Sequence, residues 1–198
     1  MFESKPKDSF DTEQLYNFAI EKIAQFAQEH SDEVFYGFCI DAGSLCLNSI
    51  EKLYITAVEY EASQLTRARN NPILAHIDDQ AKRRFLEGCQ RNAKSVSEFQ
   101  TELKFSIGDW AYQGFADMTN LPGFDEPSYL RHYDFVIGLE VPKEALDGPA
   151  SLFIPDRAND TAYARAMDSL LKRISDSGIF HLLRKTDDFS AFRVEHLY

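Results

Sequence analysis

The sequence lacks any long apolar run. No stretch approaches the ~20 residues that a membrane-spanning helix needs, and residues 1–8 mix lysines and carboxylates instead of forming the apolar core of a secretory signal. We therefore expect a cytoplasmic protein with no membrane partner.

The sequence is also poor in cysteine. Its three cysteines, Cys39, Cys46 and Cys89, show no CxxC spacing, which argues against a zinc site and a thioredoxin-like pair. Because their neighbours are largely apolar, we expect three buried free thiols in a reducing compartment.

Motifs of the common enzyme classes are missing. There is no GxSxG, HExxH, GxxxxGK[ST] or GxGxxG stretch. The five histidines lack the convergent spacing that a metal site requires. We therefore expect no metal, no cofactor and no catalytic residue; whether the chain is an enzyme stays open, and the pattern favours a protein that is not one.

Positive charge is scarce. The chain has 21 Lys and Arg against 32 Asp and Glu, a formal net charge of −11. Nucleic-acid binding needs concentrated cations, so that class of partner is not expected. An acidic protein attracts cationic partners, although an acidic composition is also ordinary for bacterial cytosolic proteins.

What the sequence does contain is enough apolar and aromatic material for a core: 44% and 13% of residues. Its length favours one domain. The patterns predict an α+β fold: a mixed or mainly antiparallel sheet packed by several α-helices, in a single domain over 11–198 after a flexible lead at 1–10. The oligomeric state is not predicted.

The pattern along the chain assigns most elements. Helices are predicted from Asp11 to about residue 30, from Ser49 to about residue 70, and from Asp160 or Thr161 to Gly178. A hairpin is predicted at 34–48 and a half-buried strand at 189–195. The remaining assignments are one long helix or two shorter ones at 78–103, a strand entry at 104–107, strand or helix at 110–118 and at 135–139, a loop at 120–127, and a turn at 147–149.

Gly108-Asp109-Trp110 is the most individual stretch, since it holds the only tryptophan and is followed by Tyr112. Trp and Tyr supply large, rigid contact area, so Asp109, Trp110 and Tyr112 are candidate binding residues. The alternative is that Trp110 anchors the core while Asp109 caps the turn.

Three charged residues complete the candidate binding set. Asp41 follows an apolar strand, where carboxylates often serve sites, although turn residues also occupy that place. Arg67 and Arg69 open a basic segment at 67–94 that is either an anion-binding face or a solvated helix face.

Four short stretches carry a family resemblance: residues 35–41, 45–49, 103–113 and 180–189. With them the chain resembles the bacterial family catalogued as domain of unknown function 4303. The resemblance implies a one-domain bacterial intracellular protein, and its members look similar in genomic setting to immunity proteins of polymorphic toxin systems. It carries no catalytic residues over to this chain, and the segment at 67–94 is longer than the family pattern.

Two hypotheses follow. The first is a protein-binding, immunity-type inhibitor that neutralises a basic protein toxin through an acidic surface. The alternative is an enzyme or small-ligand binder with a pocket near the Gly108-Asp109-Trp110 turn, which would bring Asp41, Asp109 and an arginine into one cleft.

Overall fold

A computed structural model describes residues 10–137 and 161–194. These ranges hold six α-helices and one four-stranded mixed sheet, which confirms the predicted α+β single-domain fold. In chain order the elements are α1 (Thr12–Glu29), β1 (Phe35–Asp41), β2 (Ser44–Ser49), α2 (Ile50–Arg69), α3 (Asp79–Arg91), α4 (Val96–Leu103), β3 (Tyr112–Asp117), α5 (Glu126–Ile137), α6 (Ala162–Asp176) and β4 (Lys185–Val194).

The sheet has the strand order β3-β2-β1-β4. β1 and β2 form the predicted antiparallel hairpin, in which Asp41 pairs with Ser44 across a two-residue turn. Ala42 and Gly43 both have positive φ in that turn, as a tight hairpin of this twist requires. β3 adds to β2 antiparallel, whereas β4 lies parallel to β1.

Each face of the sheet is covered by helices. α1 and α6 cover one face, and their core includes Leu15, Ile23, Phe38 and Met167. α2 and α4 cover the other face, whose core includes Trp110 together with Leu53, Cys39 and Phe99. Because both faces of β1 are buried, this strand reads as a continuous apolar run instead of an alternating one.

Local capping rules place several helix ends where the sequence predicts them. Asp11 accepts a hydrogen bond from the Gln14 N–H at the start of α1, Ser49 accepts one from Lys52 N–H at the start of α2, and Thr161 caps α6. The 78–103 segment forms two helices, and Ser95 opens the second with a capping box.

Some expectations need correction. The strand entry predicted at 104–107 is wrong: Lys104 still has helical φ and ψ as the C-cap of α4, and a short 3-10 turn follows at Ile107–Asp109. Residues 110–118 provide β3, and 135–137 end α5. Cys39 and Cys46 are buried free thiols as expected, but Cys89 is only half-buried because α3 packs on the end of α2 and away from the sheet.

Part of the predicted map lies outside the described residues: positions 1–9 of the lead, 138–139 of the strand or helix at 135–139, the turn at 147–149, Asp160 and Glu195. Phe10, the last position of the predicted lead, packs with its ring centroid 5.4 Å from that of Phe124.

Candidate functional site

Trp110 is a core residue. Its side chain is 3% exposed, stands edge-on to the rings of Tyr36 and Phe192, and donates from Nε1 to the Lys104 carbonyl at 3.1 Å. It packs so closely over Gly37 that a Cβ there would lie 2.8 Å from Trp110 Cη2. Of the two roles weighed for Trp110, the packing favours the core anchor.

Asp109 is held by two hydroxyl groups. Tyr60 of α2 donates to its Oδ1 at 2.6 Å, and Ser106 donates to its Oδ2 at 2.6 Å. The hydrogen bond to the carboxylate, together with burial, raises the pKa of Tyr60, while the charge of Arg67 opposes this. The two hydrogen bonds to Asp109 therefore fix the turn against α2.

Tyr112 belongs to a different cluster, at the end of the sheet where β1 begins and β2 finishes. Its hydroxyl donates to Glu33, which also accepts from Ser49 Oγ at 2.5 Å. His30 Nδ1 lies 3.1 Å from the Glu33 carboxylate and 3.2 Å from the Tyr112 oxygen. Lys52 Nζ lies 5.8 Å from the centre of the Tyr112 ring. These contacts join α1, α2 and β3 at one carboxylate.

The charge state of this cluster follows from its hydrogen bonds. Burial alone would raise the pKa of Glu33, but the bonds from Ser49, Tyr112 and His30 outweigh it and hold that pKa below its ordinary value. Burial and the bond to Glu33 raise the pKa of Tyr112. The carboxylate is therefore ionised and the phenol neutral at pH 7, as a stable hydrogen-bonded junction requires.

Asp41 lies at the opposite end of the sheet, where the parallel strands β1 and β4 finish. It is aligned with Ser44 on one side and Val194 on the other. The neighbouring Arg193 side chain is 2% exposed and donates from Nε to Asp168 at 2.8 Å. Both Asp41 and Arg193 act electrostatically on the buried Tyr163.

His132 of α5 completes that second cluster. Its ring lies 4.7 Å from the Tyr163 ring, and its Nδ1 is 2.7 Å from Thr161 Oγ1. Burial, with the nearby Arg193 charge, lowers the pKa of His132 to about 4, so its imidazole is neutral at pH 7. A buried guanidinium at a strand end and a neutral histidine close to it are the kind of groups that sites use. Here the Arg193–Asp168 pair ties α6 to β4, and the His132 contacts tie α5 to the start of α6.

The basic segment projects from the rest of the fold. Arg67 and Arg69 are exposed at the end of α2, and no residue of α3 is buried. Arg84 and Phe85 of α3 help to line a cavity of about 480 Å³ between α3 and α2. The cations therefore lie on solvated helices.

The largest exposed apolar feature of α2 was not among the sequence-predicted sites. Ile50, Tyr54, Ile55 and Val58 are 37%, 54%, 49% and 37% exposed and fall on one side of the helix, where the exposed Glu51 lies among them and the exposed Glu59 borders them. We call this set, Ile50, Tyr54, Ile55, Val58, Glu51 and Glu59, the α2 face. Contiguous exposed apolar side chains bordered by polar residues are typical of interaction sites.

The candidate residues are thus distributed over several places. On the α2 side of the fold lie Asp109 and Trp110, with Arg67 and Arg69 exposed at the end of α2. At opposite ends of the sheet lie Tyr112 and Asp41. Spacing along α2 could have revealed the α2 face, because Ile50, Tyr54 and Val58 repeat every four residues beside the buried Leu53 and Ala57. Glu33 has one local partner, His30, but its partners Ser49 and Tyr112, like the Thr161 partner of His132, come from other segments and left no local signal.

Comparison with families of known proteins, with curated proteins and with solved structures finds no match for this chain. The resemblance to domain of unknown function 4303 therefore stays a prediction.

Among the described residues, no group of three or more His, Cys, Asp and Glu side chains is placed to hold a metal ion. No helix in the ranges 10–137 and 161–194 is long and apolar enough to cross a membrane.

Proposed function

We propose that this protein binds a basic protein partner through the α2 face and, in the most specific form of the proposal, that it is an immunity-type inhibitor which masks a toxin. The observation that carries the proposal is the α2 face itself: four exposed apolar side chains on one helix, with one carboxylate among them and one beside them. The net charge of −11 supports a cationic partner.

The physical roles within this face divide between apolar and charged groups. Tyr54 is the natural anchor, because a tyrosine that is 54% exposed before binding can bury a large rigid ring at small entropic cost. Glu51 and Glu59 would steer a cationic surface toward the helix and fix its register. Binding of this kind masks a partner without any chemical step.

The alternative, a pocket near the Gly108-Asp109-Trp110 turn, is less well supported. The polar side-chain atoms of Trp110 and Asp109 are already used in hydrogen bonds to Lys104, Tyr60 and Ser106. Asp41 is at the opposite end of the sheet, where β1 and β4 finish. That alternative stays a prediction with no particular contact in its favour.

The test uses the product of the adjacent gene as the candidate partner, with binding measured by calorimetry and neutralisation measured as recovery of growth. Tyr54→Ala is expected to weaken binding by about 1–2 kcal/mol, roughly five- to thirtyfold, and to weaken neutralisation in parallel. Leu182→Ala is the matched control, because Leu182 is 57% exposed but lies beyond α6. The proposal fails if the partner does not bind, or if the two variants bind equally well.

A further inference from the structure

A second surface lies on the opposite side of the sheet, between α1 and the edge strand β3. A groove of about 360 Å³ runs there, with an aromatic floor and a polar rim. Its lining residues on α1 are Phe18, Lys22, Gln25, Phe26 and Glu29, and those on β3 are Phe115, Ala116 and Asp117. Phe26 and Phe115 meet with ring centroids 4.6 Å apart.

The main chain of β3 is open along this groove. β3 is the last strand on its side of the described sheet, with β2 as its neighbour. Met118 N–H donates to the Gly43 carbonyl of the β1–β2 turn at 3.0 Å. Since the N–H and C=O groups of successive residues alternate in direction along a strand, those of Phe115 and Asp117 point away from β2 and toward the groove side.

The length of open edge is limited by a bulge. Leu45 pairs with Ala116 and Leu47 with Tyr112, so β3 contains extra residues between these positions, and Gly114 takes a φ of 59° there. Bulges twist an edge away from regular pairing and so discourage indiscriminate strand addition. Only the short stretch Phe115–Asp117 is therefore straight enough to accept another strand.

The rim of the groove favours positive charge. Glu29 and Asp117 contribute carboxylates on its two sides. The Asp117 carboxylate already accepts hydrogen bonds from the Thr119 N–H and hydroxyl and from Asn120, so Glu29 is the more open of the two. The single lysine of the lining, Lys22, lies 3.5 Å from Glu21 and 3.4 Å from Gln25 and packs over the Phe18 ring, so its charge is already engaged. Glu29 accepts from Gln25 at 2.8 Å and is otherwise exposed to an incoming cation.

From these four observations we infer that the groove between α1 and β3 binds a short, extended, cationic peptide segment by strand addition. The peptide pairs its main chain with Phe115 and Asp117, inserts an apolar side chain over Phe26 and Phe115, and places lysine or arginine near Glu29 and Asp117. This is the edge-addition mode of peptide recognition, with main-chain bonds for affinity and a side-chain pocket for specificity. It is independent of the α2 face.

The probe is an acetylated and amidated heptapeptide in which lysine and valine alternate around a central phenylalanine; a second peptide replaces every lysine by glutamate. Amide hydrogen exchange, followed by NMR, is measured on the full-length protein with each peptide. The lysine peptide is expected to slow exchange of the Phe115 and Asp117 N–H groups, and the glutamate peptide is expected to leave them unchanged. Failure of the lysine peptide to protect these amides at millimolar concentration overturns the inference, as does equal protection by both peptides.

Charge-reversal variants test the rim. Glu29→Lys removes one ion pair and adds one repulsion, so it should weaken binding of the lysine peptide by roughly two- to thirty-fold. Glu87→Lys changes the net charge equally but lies exposed on α3, outside the groove, and should bind like the original chain. Equal weakening by both variants would mean that only the overall charge matters and would overturn the assigned site. Tyr54→Ala should bind the peptide normally, so failure of this inference and failure of the α2-face proposal are distinguishable.

Discussion

The close contact between Gly37 and Trp110 gives the sharpest prediction about the fold. A Cβ at residue 37 would lie 2.8 Å from Trp110 Cη2 and 3.1 Å from Cζ2, well inside ordinary van der Waals contact. The indole cannot move aside freely, because its Nε1 is bonded to the Lys104 carbonyl and its ring is flanked by Tyr36 and Phe192. Gly37→Ala therefore forces a packed core apart.

The expected cost is that of overpacking, about 1–3 kcal/mol in the free energy of unfolding. For a chain of this size each kcal/mol lowers Tm by roughly 2–4 °C, so a fall of about 2–12 °C is expected. Gly37 does not have a positive φ, and the cost arises from the contact and not from backbone strain. Gly108→Ala is the matched control, since nothing lies within 4 Å of its added Cβ.

Urea unfolding followed by tryptophan fluorescence is the assay, because Trp110 is the only tryptophan and reports directly on this contact. In a Trp110→Phe background, monitored by circular dichroism, Gly37→Ala should cost less, because phenylalanine lacks the outer indole atoms that clash. The reasoning is refuted if Gly37→Ala is as stable as the original protein, or if its cost is unchanged in the phenylalanine background.

Three further predictions concern the Glu33 and His132 clusters, at the two ends of the sheet. Tyr112→Phe removes a hydroxyl that donates to the ionised Glu33 and should lower the free energy of unfolding by about 1–2 kcal/mol, measured by urea titration at pH 7; no change would show that the bond is unimportant. The pKa of Glu33 is lowered on folding, so its contribution to stability is fully present above about pH 4.5 and is lost as the pH falls through the pKa of the folded state. The difference in free energy of unfolding between the original protein and Glu33→Gln should therefore shrink in acid. A difference that stays constant with pH would contradict this. The pKa of His132 falls from 6.5 to about 4 on folding, so the unfolded chain gains the proton first as the pH is lowered. The free energy of unfolding should therefore decline from pH 6.5 toward 4, and His132→Gln should reduce this decline. Unfolding midpoints of both proteins at pH 7 and pH 5 test the prediction, which fails if the two proteins lose the same stability.

Local rules predicted much of the fold. Asp11, Ser49 and Thr161 each cap a helix with their own side chain, so the sequence signal and the structural cause are the same hydrogen bond. The hairpin at 34–48 was predictable because a two-residue turn fixes its register. Residues 104–107 were mistaken for a strand. They lead instead from the C-cap of α4 at Lys104, whose carbonyl accepts from Trp110 Nε1, into the 3-10 turn at Ile107–Asp109.

The candidate sites were harder to predict, since they depend on side chains from distant segments. Tyr112 was chosen for its neighbour Trp110, yet it contacts Glu33 and His30, about eighty positions earlier. His132 gave no sign of a metal or a catalytic role, and its lowered pKa arises from burial beside Arg193.

The most direct test of the central claim is a hydrogen-exchange footprint of the complex with the basic partner. Binding through the α2 face predicts slowed amide exchange at the first three turns of α2, residues 50–61, with Tyr54→Ala reducing that protection. The account is contradicted if the complex forms but the slowed exchange is located at the end of the sheet that holds Asp41 and His132, while residues 50–61 exchange as in the free protein.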